Sequence, residues 1–163
     1  METVLQEKYE QLLTEYEKSV EQEPDEDESW VDKVVELEKL GRLEEALACY
    51  NEVIERKPHN IKAWVNKGIT LGKLGRHDEA LSCFETALKY KPDNSEAWIN
   101  KGVALGSIGQ HNDALSCFEN AIRHKPDDAE AWANKAVALQ MLGHIEQAQE
   151  AHKHAQTLYK GKP

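Results

Sequence analysis

Apolar residues recur along most of this chain with the spacing of amphipathic helices, in two alternating kinds of segment. In the first kind, Trp64, Leu71 and Leu74 are separated by seven and then three residues, which places them on one stripe of a helix. In the second kind, Ala80 and Phe84 lie four residues apart and begin a matching face. Small residues meet where helices cross, and large ones fill the space beside them. The pattern therefore predicts packed pairs of helices, called helix A and helix B below.

This pair of helices repeats every 34 residues. The four Trp of the chain stand at 30, 64, 98 and 132, and a fixed period of this length is typical of stacked helical hairpins. When each unit is numbered from three residues before its Trp, four units result: 27–60, 61–94, 95–128 and 129–162. Glycine at position 15 of each unit is expected to end helix A, because glycine readily adopts the left-handed conformation that closes a helix. Proline at position 32 is expected to end helix B in the first three units.

Unit 3 carries Trp98, Gly102, Ala114, Phe118 and Pro126, and unit 2 carries the same residue types at the same positions. On a 34-residue period this set resembles the tetratricopeptide repeat (TPR) family. The resemblance covers residues 27–162 and implies an all-α fold, a right-handed α-solenoid of about nine helices. One departure is position 7, which is commonly Leu in the family and is Lys in all four units here: Lys33, Lys67, Lys101 and Lys135.

Charge is concentrated at the N-terminal side. Residues 1–30 hold eleven acidic and two basic residues, a net charge of −9 out of −10 for the whole chain. We predict a capping helix and an acidic connector in residues 1–26. The nearly neutral remainder offers no basic surface for nucleic acid or anionic lipid. Because no apolar run resembles a signal peptide or a membrane span, we expect a cytoplasmic protein without nucleic-acid or membrane partners.

Catalytic and metal-binding patterns are missing from the sequence. The three cysteines, Cys49, Cys83 and Cys117, are 34 residues apart, which puts equivalent Cα atoms beyond disulfide reach in a helical stack. We expect buried free thiols that bind no metal. The seven His form no paired ligand motif, and neither a phosphate-binding loop nor a nucleophile elbow is present. The sequence therefore predicts neither an enzyme nor a cofactor.

Helix A carries unexpected apolar residues outside its core stripe. At about 100° per residue, positions 5 and 9 fall on the side of helix A away from helix B, yet both are apolar in every unit, and position 6 is Asn in units 2 to 4. In TPR proteins helix A lines a concave groove, and positions 2, 5, 6, 9, 12 and 13 contact ligands. The resemblance therefore implies these peptide-binding residues: Val31, Val35, Val65, Asn66, Ile69, Lys73, Ile99, Asn100, Val103 and Asn134.

We predict a monomeric adaptor that binds an extended or helical apolar segment of another protein in this groove. Asn side chains can pair with both the N–H and the C=O of a peptide, and the apolar positions suit its side chains. Three alternatives stay open: neighbouring helices cover these positions, the protein is a self-associating scaffold, or the acidic arm regulates an enzyme. The carboxylate clamp of TPR cochaperones is absent, because Glu96 stands where that clamp needs Lys and only one Asn matches. Cochaperone-like binding would have to proceed without it.

The last unit differs from the others on one face of helix B. Positions that hold Leu, Phe or Ile in earlier units are Gln149, His152 and Gln156 here. Since a terminal repeat needs a wettable outer side, this face is predicted to meet water instead of a fifth repeat.

Overall fold

The structure is a computed structural model that describes residues 7, 11, 14, 15, 34 and 37–161. Among these residues there are α-helices and turns but no strands. Residues 7, 11, 14, 15, 34 and 37–39 are helical, and complete helices follow them. These helices are α1 (Leu43–Arg56), α2 (Ile61–Lys73), α3 (His77–Tyr90), α4 (Ser95–Ser107), α5 (His111–His124), α6 (Ala129–Met141) and α7 (Ile145–Lys160). The predicted all-α solenoid is confirmed, and seven complete helices lie within the described residues; the predicted count of about nine extends to residues outside them.

Helices α2, α4 and α6 are helix A of units 2 to 4, and α1, α3, α5 and α7 are helix B of units 1 to 4. Each helix packs on its neighbours in sequence, and α4 also contacts both α2 and α6. Helices on the inner side of a curved stack lie closer together than those on the outer side. The A helices therefore form the concave wall. The predicted capping helix and acidic connector lie outside the described residues, except for Glu7, Gln11, Thr14 and Glu15.

The ends of the helices follow the expected residues. Gly75 closes α2 with a φ of 73°, and the N–H of Arg76 donates to the carbonyl of Leu71 at 2.9 Å across the turn. The equivalent glycines of the other units have φ values of 76° to 81°. Each helix B of units 1 to 3 ends two residues before its proline, whereas α7, which has Lys160 at that position, continues to Lys160. The predicted glycine and proline stops are therefore confirmed.

Each A helix begins at a side chain that caps it. Asn60 and Asn94 accept hydrogen bonds from the N–H groups three residues later, at 2.9 and 2.8 Å, and Asp128 does the same at 3.4 Å. A side-chain oxygen in this place satisfies an N–H that the helix itself leaves unpaired. The caps hold α2, α4 and α6 in the same register within their units.

The two helices of a hairpin approach each other at position 8. A Cβ atom on Gly102 would lie 2.6 Å from Cε1 of Phe118, which is only 4% exposed. Unit 1 has Val34 and Tyr50 at the same two positions, and both are fully buried. In units 2 and 3 the close approach of helix A and helix B therefore depends on a glycine at position 8 facing a buried Phe at position 24.

The repeated Trp fastens each unit to the loop before it. The indole Nε1 of Trp64 donates to the carbonyl of Pro58 at 2.8 Å, and Trp98 and Trp132 bond Pro92 and Pro126 in the same way. The predicted period of Trp residues thus coincides with a repeated contact, one for each described junction between units.

The lysine at position 7 lies over this Trp. The Nζ atoms of Lys67, Lys101 and Lys135 are 5.4, 5.9 and 5.5 Å from the ring centroids of the Trp three residues earlier, within the range of a cation–π contact. Lys101 and Lys135 also form ion pairs with Glu85 and Glu119 of the preceding helix B, each at 3.0 Å. The departure from the family pattern therefore provides a second contact between units.

Candidate functional site

The apolar residues at position 5 lie in the interior. Val65 and Ile99 are only 2% and 4% exposed, and Val65 belongs to a core cluster with Leu47 and Leu71. Ala133 in unit 4 is half-buried. A ligand in the groove would therefore meet little of Val65 or Ile99, and for these two residues the structure matches the alternative in which neighbouring helices cover them.

The apolar residues at position 9 become more exposed along the stack. Ile69 is half-buried, whereas Val103 is 43% exposed and Val137 is 59% exposed. These side chains lie on A helices, on the concave wall. The two ladders that looked alike in the sequence thus differ in the structure, and only the ladder at position 9 presents apolar surface.

The amide ladder at position 6 is partly exposed, but its members differ in their hydrogen bonds. The Nδ2 of Asn100 donates to the carbonyl of Glu96 in its own helix at 2.9 Å, which leaves its Oδ1 as an acceptor. The side chains of Asn66 and Asn134 form no hydrogen bond within the described part of the chain. Asn134 therefore keeps both a donor and an acceptor for a ligand.

Lys73 forms an ion pair with another residue of the protein. Its Nζ lies 2.5 Å from Oε2 of Glu38, whose side chain is 5% exposed. The other carboxylate oxygen of Glu38 accepts hydrogen bonds from Tyr50, at 2.9 Å, and from Thr70. This network links units 1 and 2, so the ammonium group of Lys73 already compensates a buried charge. Val31 and Val35, the remaining predicted residues, lie outside the described residues.

One groove brings together three exposed apolar residues, Val103, Val137 and Met141. It lies between α4 and α6, over the start of α5, and has a volume of about 300 Å³. No lysine, arginine or carboxylate lines it, and His111 is its only titratable group. Asn134 lines the same groove.

Met141 is the lining residue that sequence reasoning missed. It stands at position 13, where units 1 to 3 have Lys, Lys and Ser, and it is 61% exposed. The sequence could have indicated this residue, because position 13 changes from Lys or Ser in units 1 to 3 to the unbranched apolar Met in unit 4. Met fills irregular spaces and makes adaptable contacts with apolar guests, so it extends the apolar wall that begins at Val103 and Val137.

A second, larger cavity of about 710 Å³ lies near the start of α2. It brings the predicted residues Val65 and Asn66 together with Lys57, Lys62 and Lys91, and Glu96 also lines it. Because these charged groups would keep their hydration better in water than beside an apolar guest, this cavity does not suit the apolar ligand that the sequence predicts. The groove beside Val103 does.

Among the described residues, no metal-binding cluster and no cysteine lines either of these two cavities. Within the described part of the chain, no cluster of three or more His, Cys, Asp or Glu is arranged to hold a metal ion. Cys49, Cys83 and Cys117 are buried free thiols, and burial raises the pKa of Cys49 to about 12 and that of Cys117 to about 11. Among the described residues, no helix is both long and apolar enough to cross a bilayer.

Solved structures share this fold. A crystal structure of MamA is 18% identical, with 89% of this chain and 85% of that chain covered and a TM-score of 0.75. A MamA RS-1 ArsTM double mutant is 17% identical, with coverages of 97% and 94% and a TM-score of 0.74. MamA MSR-1 C2 is 23% identical, with coverages of 78% and 73% and a TM-score of 0.66. At these identities the likeness establishes the fold alone.

Sequence comparison establishes the family. No curated protein matches the chain, but a family model described as tetratricopeptide repeat matches residues 61–94 and 95–128. A second model with that description matches residues 117–150, and one described as TPR repeat matches residues 37–75. These matches run without a gap from residue 37 to residue 150, and the chain belongs to the tetratricopeptide repeat family.

Proposed function

We propose that this protein is an interaction adaptor that binds an extended apolar segment of another protein in the concave groove between α4 and α6. The observation that carries the proposal is the exposure of three large apolar side chains around one groove without charged lining. Val103, Val137 and Met141 are 43%, 59% and 61% exposed. Burial of apolar surface is worth about 25 cal/mol per Å², so an apolar guest gains from covering all three side chains.

The amide of Asn134 favours an extended guest over a helical one. It lies in the same groove, and it is unpaired within the described part of the chain. An extended peptide has free N–H and C=O groups that this amide can bond, whereas those groups are already paired inside a helix. A helical ligand is the alternative, and it would use Val137 and Met141 without needing Asn134.

Membership of the TPR family supports a role in contacts between proteins, and the proposal adds no catalytic step. The same apolar side chains would also suit contact with a second copy, which is the scaffold alternative. Sedimentation velocity over a wide range of concentrations separates the two. A single monomeric species throughout supports the adaptor, and a concentration-dependent dimer that Met141→Asp abolishes would favour the scaffold.

Selection from a displayed library of linear peptides tests the groove. We expect the selected peptides to share aliphatic or aromatic residues in an uncharged stretch. Synthetic copies should lose at least about tenfold in affinity for Val103→Asp and for Met141→Asp, because a carboxylate in the groove would have to be desolvated by the guest.

Ile108→Asp provides the matched control. Ile108 is 39% exposed, close to the 43% of Val103, and it does not line the groove. Affinity for this variant should equal that of the unchanged protein. If the groove variants, shown by circular dichroism to be folded, bind the selected peptides as tightly as Ile108→Asp does, the proposed site is wrong.

A further inference from the structure

The contacts between units 2 and 3 and between units 3 and 4 each contain an ion pair of the same direction. Lys101 on α4 pairs with Glu85 on α3, and Lys135 on α6 pairs with Glu119 on α5, each at 3.0 Å. The lysine occupies position 7 of one unit, and the glutamate occupies position 25 of the unit before it. At these two junctions, the helix A that docks on the preceding helix B thus brings a positive charge to a negative one, whereas position 25 of unit 1 is the neutral Asn51.

The last unit reverses the charge at position 25. Lys153 stands where Glu85 and Glu119 stand in the earlier units, and its side chain forms no ion pair within the described part of the chain. Every unit of this protein has lysine at position 7. A helix A from a second copy would therefore place lysine against Lys153, and like charges in contact are unfavourable.

The surface around Lys153 is nevertheless shaped to take a helix. A cavity of about 470 Å³ lies between α6 and α7, on the side that the next helix A covers in earlier units. Its floor is apolar: Ala136 and Ala148 are buried, whereas Val137 and Ile145 are 59% and 52% exposed. Leaving such apolar side chains in water is unfavourable, and they continue the surface that binds the units to one another.

The upper part of the same surface is polar. Gln149, His152 and Gln156 are exposed, as the sequence predicts, and a ring nitrogen of His152 lies 3.0 Å from the amide nitrogen of Gln156. In unit 3 the corresponding residues are Leu115, Phe118 and Ile122. A helix that fits here needs small or apolar residues toward α6 and hydrogen-bonding or acidic residues toward α7.

We propose that this terminal face, defined by Ala136, Val137, Ile145, Gln149, His152 and Lys153, binds an amphipathic helix of another protein that presents a carboxylate to Lys153. The helix takes the place that helix A of a further unit would take, and the reversed charge selects it over a copy of the protein's own repeats. The site shares Val137 with the concave groove but extends from it over α7, and neither Val103 nor Met141 lines it.

Two synthetic peptides test the charge selection. One has the sequence of α4, Ser95–Ser107, which carries the lysine of position 7; the other differs only by Lys101→Glu. Each is titrated into isotope-labelled protein, and backbone amide shifts are followed by NMR to a peptide concentration of about 1 mM, since a short helix binds weakly. The Glu peptide should shift the amides of residues 145–156 and bind about fivefold to tenfold more tightly than the Lys peptide at low salt.

A charge exchange supplies the decisive comparison. In Lys153→Glu the preference should reverse, so that the Lys peptide binds more tightly. Lys89→Glu, a variant at another exposed lysine, makes the same change in net charge and should keep the preference of the unchanged protein. The proposal is overturned if neither peptide shifts these amides, if both bind equally, or if Lys153→Glu leaves the preference as it was. Val103→Asp should not alter any of these results, so failure here is distinct from failure of the concave groove.

Discussion

The ring of Phe84 lies against Gly68 so closely that a Cβ atom on this glycine would be 2.6 Å from Cε1 of the ring. Phe84 is only 2% exposed and cannot move into solvent. Gly68→Ala should therefore force α2 and α3 apart and lower the free energy of unfolding by about 1–3 kcal/mol, the usual cost of overpacking. Urea denaturation followed by circular dichroism measures the loss.

Gly72→Ala is the control for this prediction. Gly72 lies in the same helix, and an added Cβ would meet nothing within 4 Å. Alanine is the better helix former, so this variant should be more stable by up to about 1 kcal/mol. Equal destabilisation by the two substitutions would show that the contact with Phe84 does not govern the separation of the helices.

The contact at Gly68 also shows which structural features could be predicted from the sequence. Residues that act within one unit were predicted correctly, because their spacing determines which neighbours they meet: Gly75 ends a helix, and Gly68 faces helix B. The exposure of Val65 was not predictable in this way, since a helical wheel treats α2 in isolation, whereas α1 and α4 pack on either side of it. The resemblance to the TPR family could locate the concave wall, but neither it nor the periodicity could tell the buried ladder of that wall from the exposed one.

The ion pair between Lys101 and Glu85 should add little to stability. The two side chains are 20% and 62% exposed, and water screens such pairs, which typically contribute about 0.2–1 kcal/mol. A double-mutant cycle with Lys101→Met and Glu85→Gln should give a coupling energy in this range that falls as salt is added. The pair would then help to set the register between the two units while adding little to the free energy of unfolding. A coupling energy well above this range, or one that salt does not alter, would contradict this view.

The three cysteines should resist modification in the folded protein. Thiolate is the reactive form, and burial is the main cause that raises the pKa of Cys49 to about 12, that of Cys117 to about 11 and that of Cys83 above its usual value. Iodoacetamide at about pH 8 should label none of them within minutes and all of them in guanidinium chloride. Mass spectrometry counts the labels, and rapid labelling of the native chain would show that the thiols are accessible.

The same pKa shifts make stability depend on alkaline pH. Between the ordinary cysteine pKa of 9.0 and the raised value of about 12, the unfolded chain releases the Cys49 proton while the folded chain retains it. The unfolded state is therefore favoured increasingly as pH rises through this window, and the contribution of the group is fully present below pH 9.0. Cys49→Ala should lose less stability between these pH values than the unchanged protein does. Parallel pH profiles would mean that folding does not raise the pKa of this thiol.

Lys73 is expected to be a structural residue and not a ligand-binding one. Its ammonium neutralises Glu38, whose side chain is 5% exposed, although Lys73 itself is 50% exposed. Lys73→Met would leave the buried carboxylate with only the hydroxyl donors of Tyr50 and Thr70. Because removal of one partner from a partly buried pair strands the other charge, we expect a loss of about 1–2 kcal/mol in the free energy of unfolding. Lys89→Met, at an exposed lysine, should change the free energy of unfolding by less than about 0.5 kcal/mol.

Peptides selected for the concave groove should bind Lys73→Met as tightly as they bind the unchanged protein. Weaker binding without a change in stability would instead make Lys73 part of the ligand site.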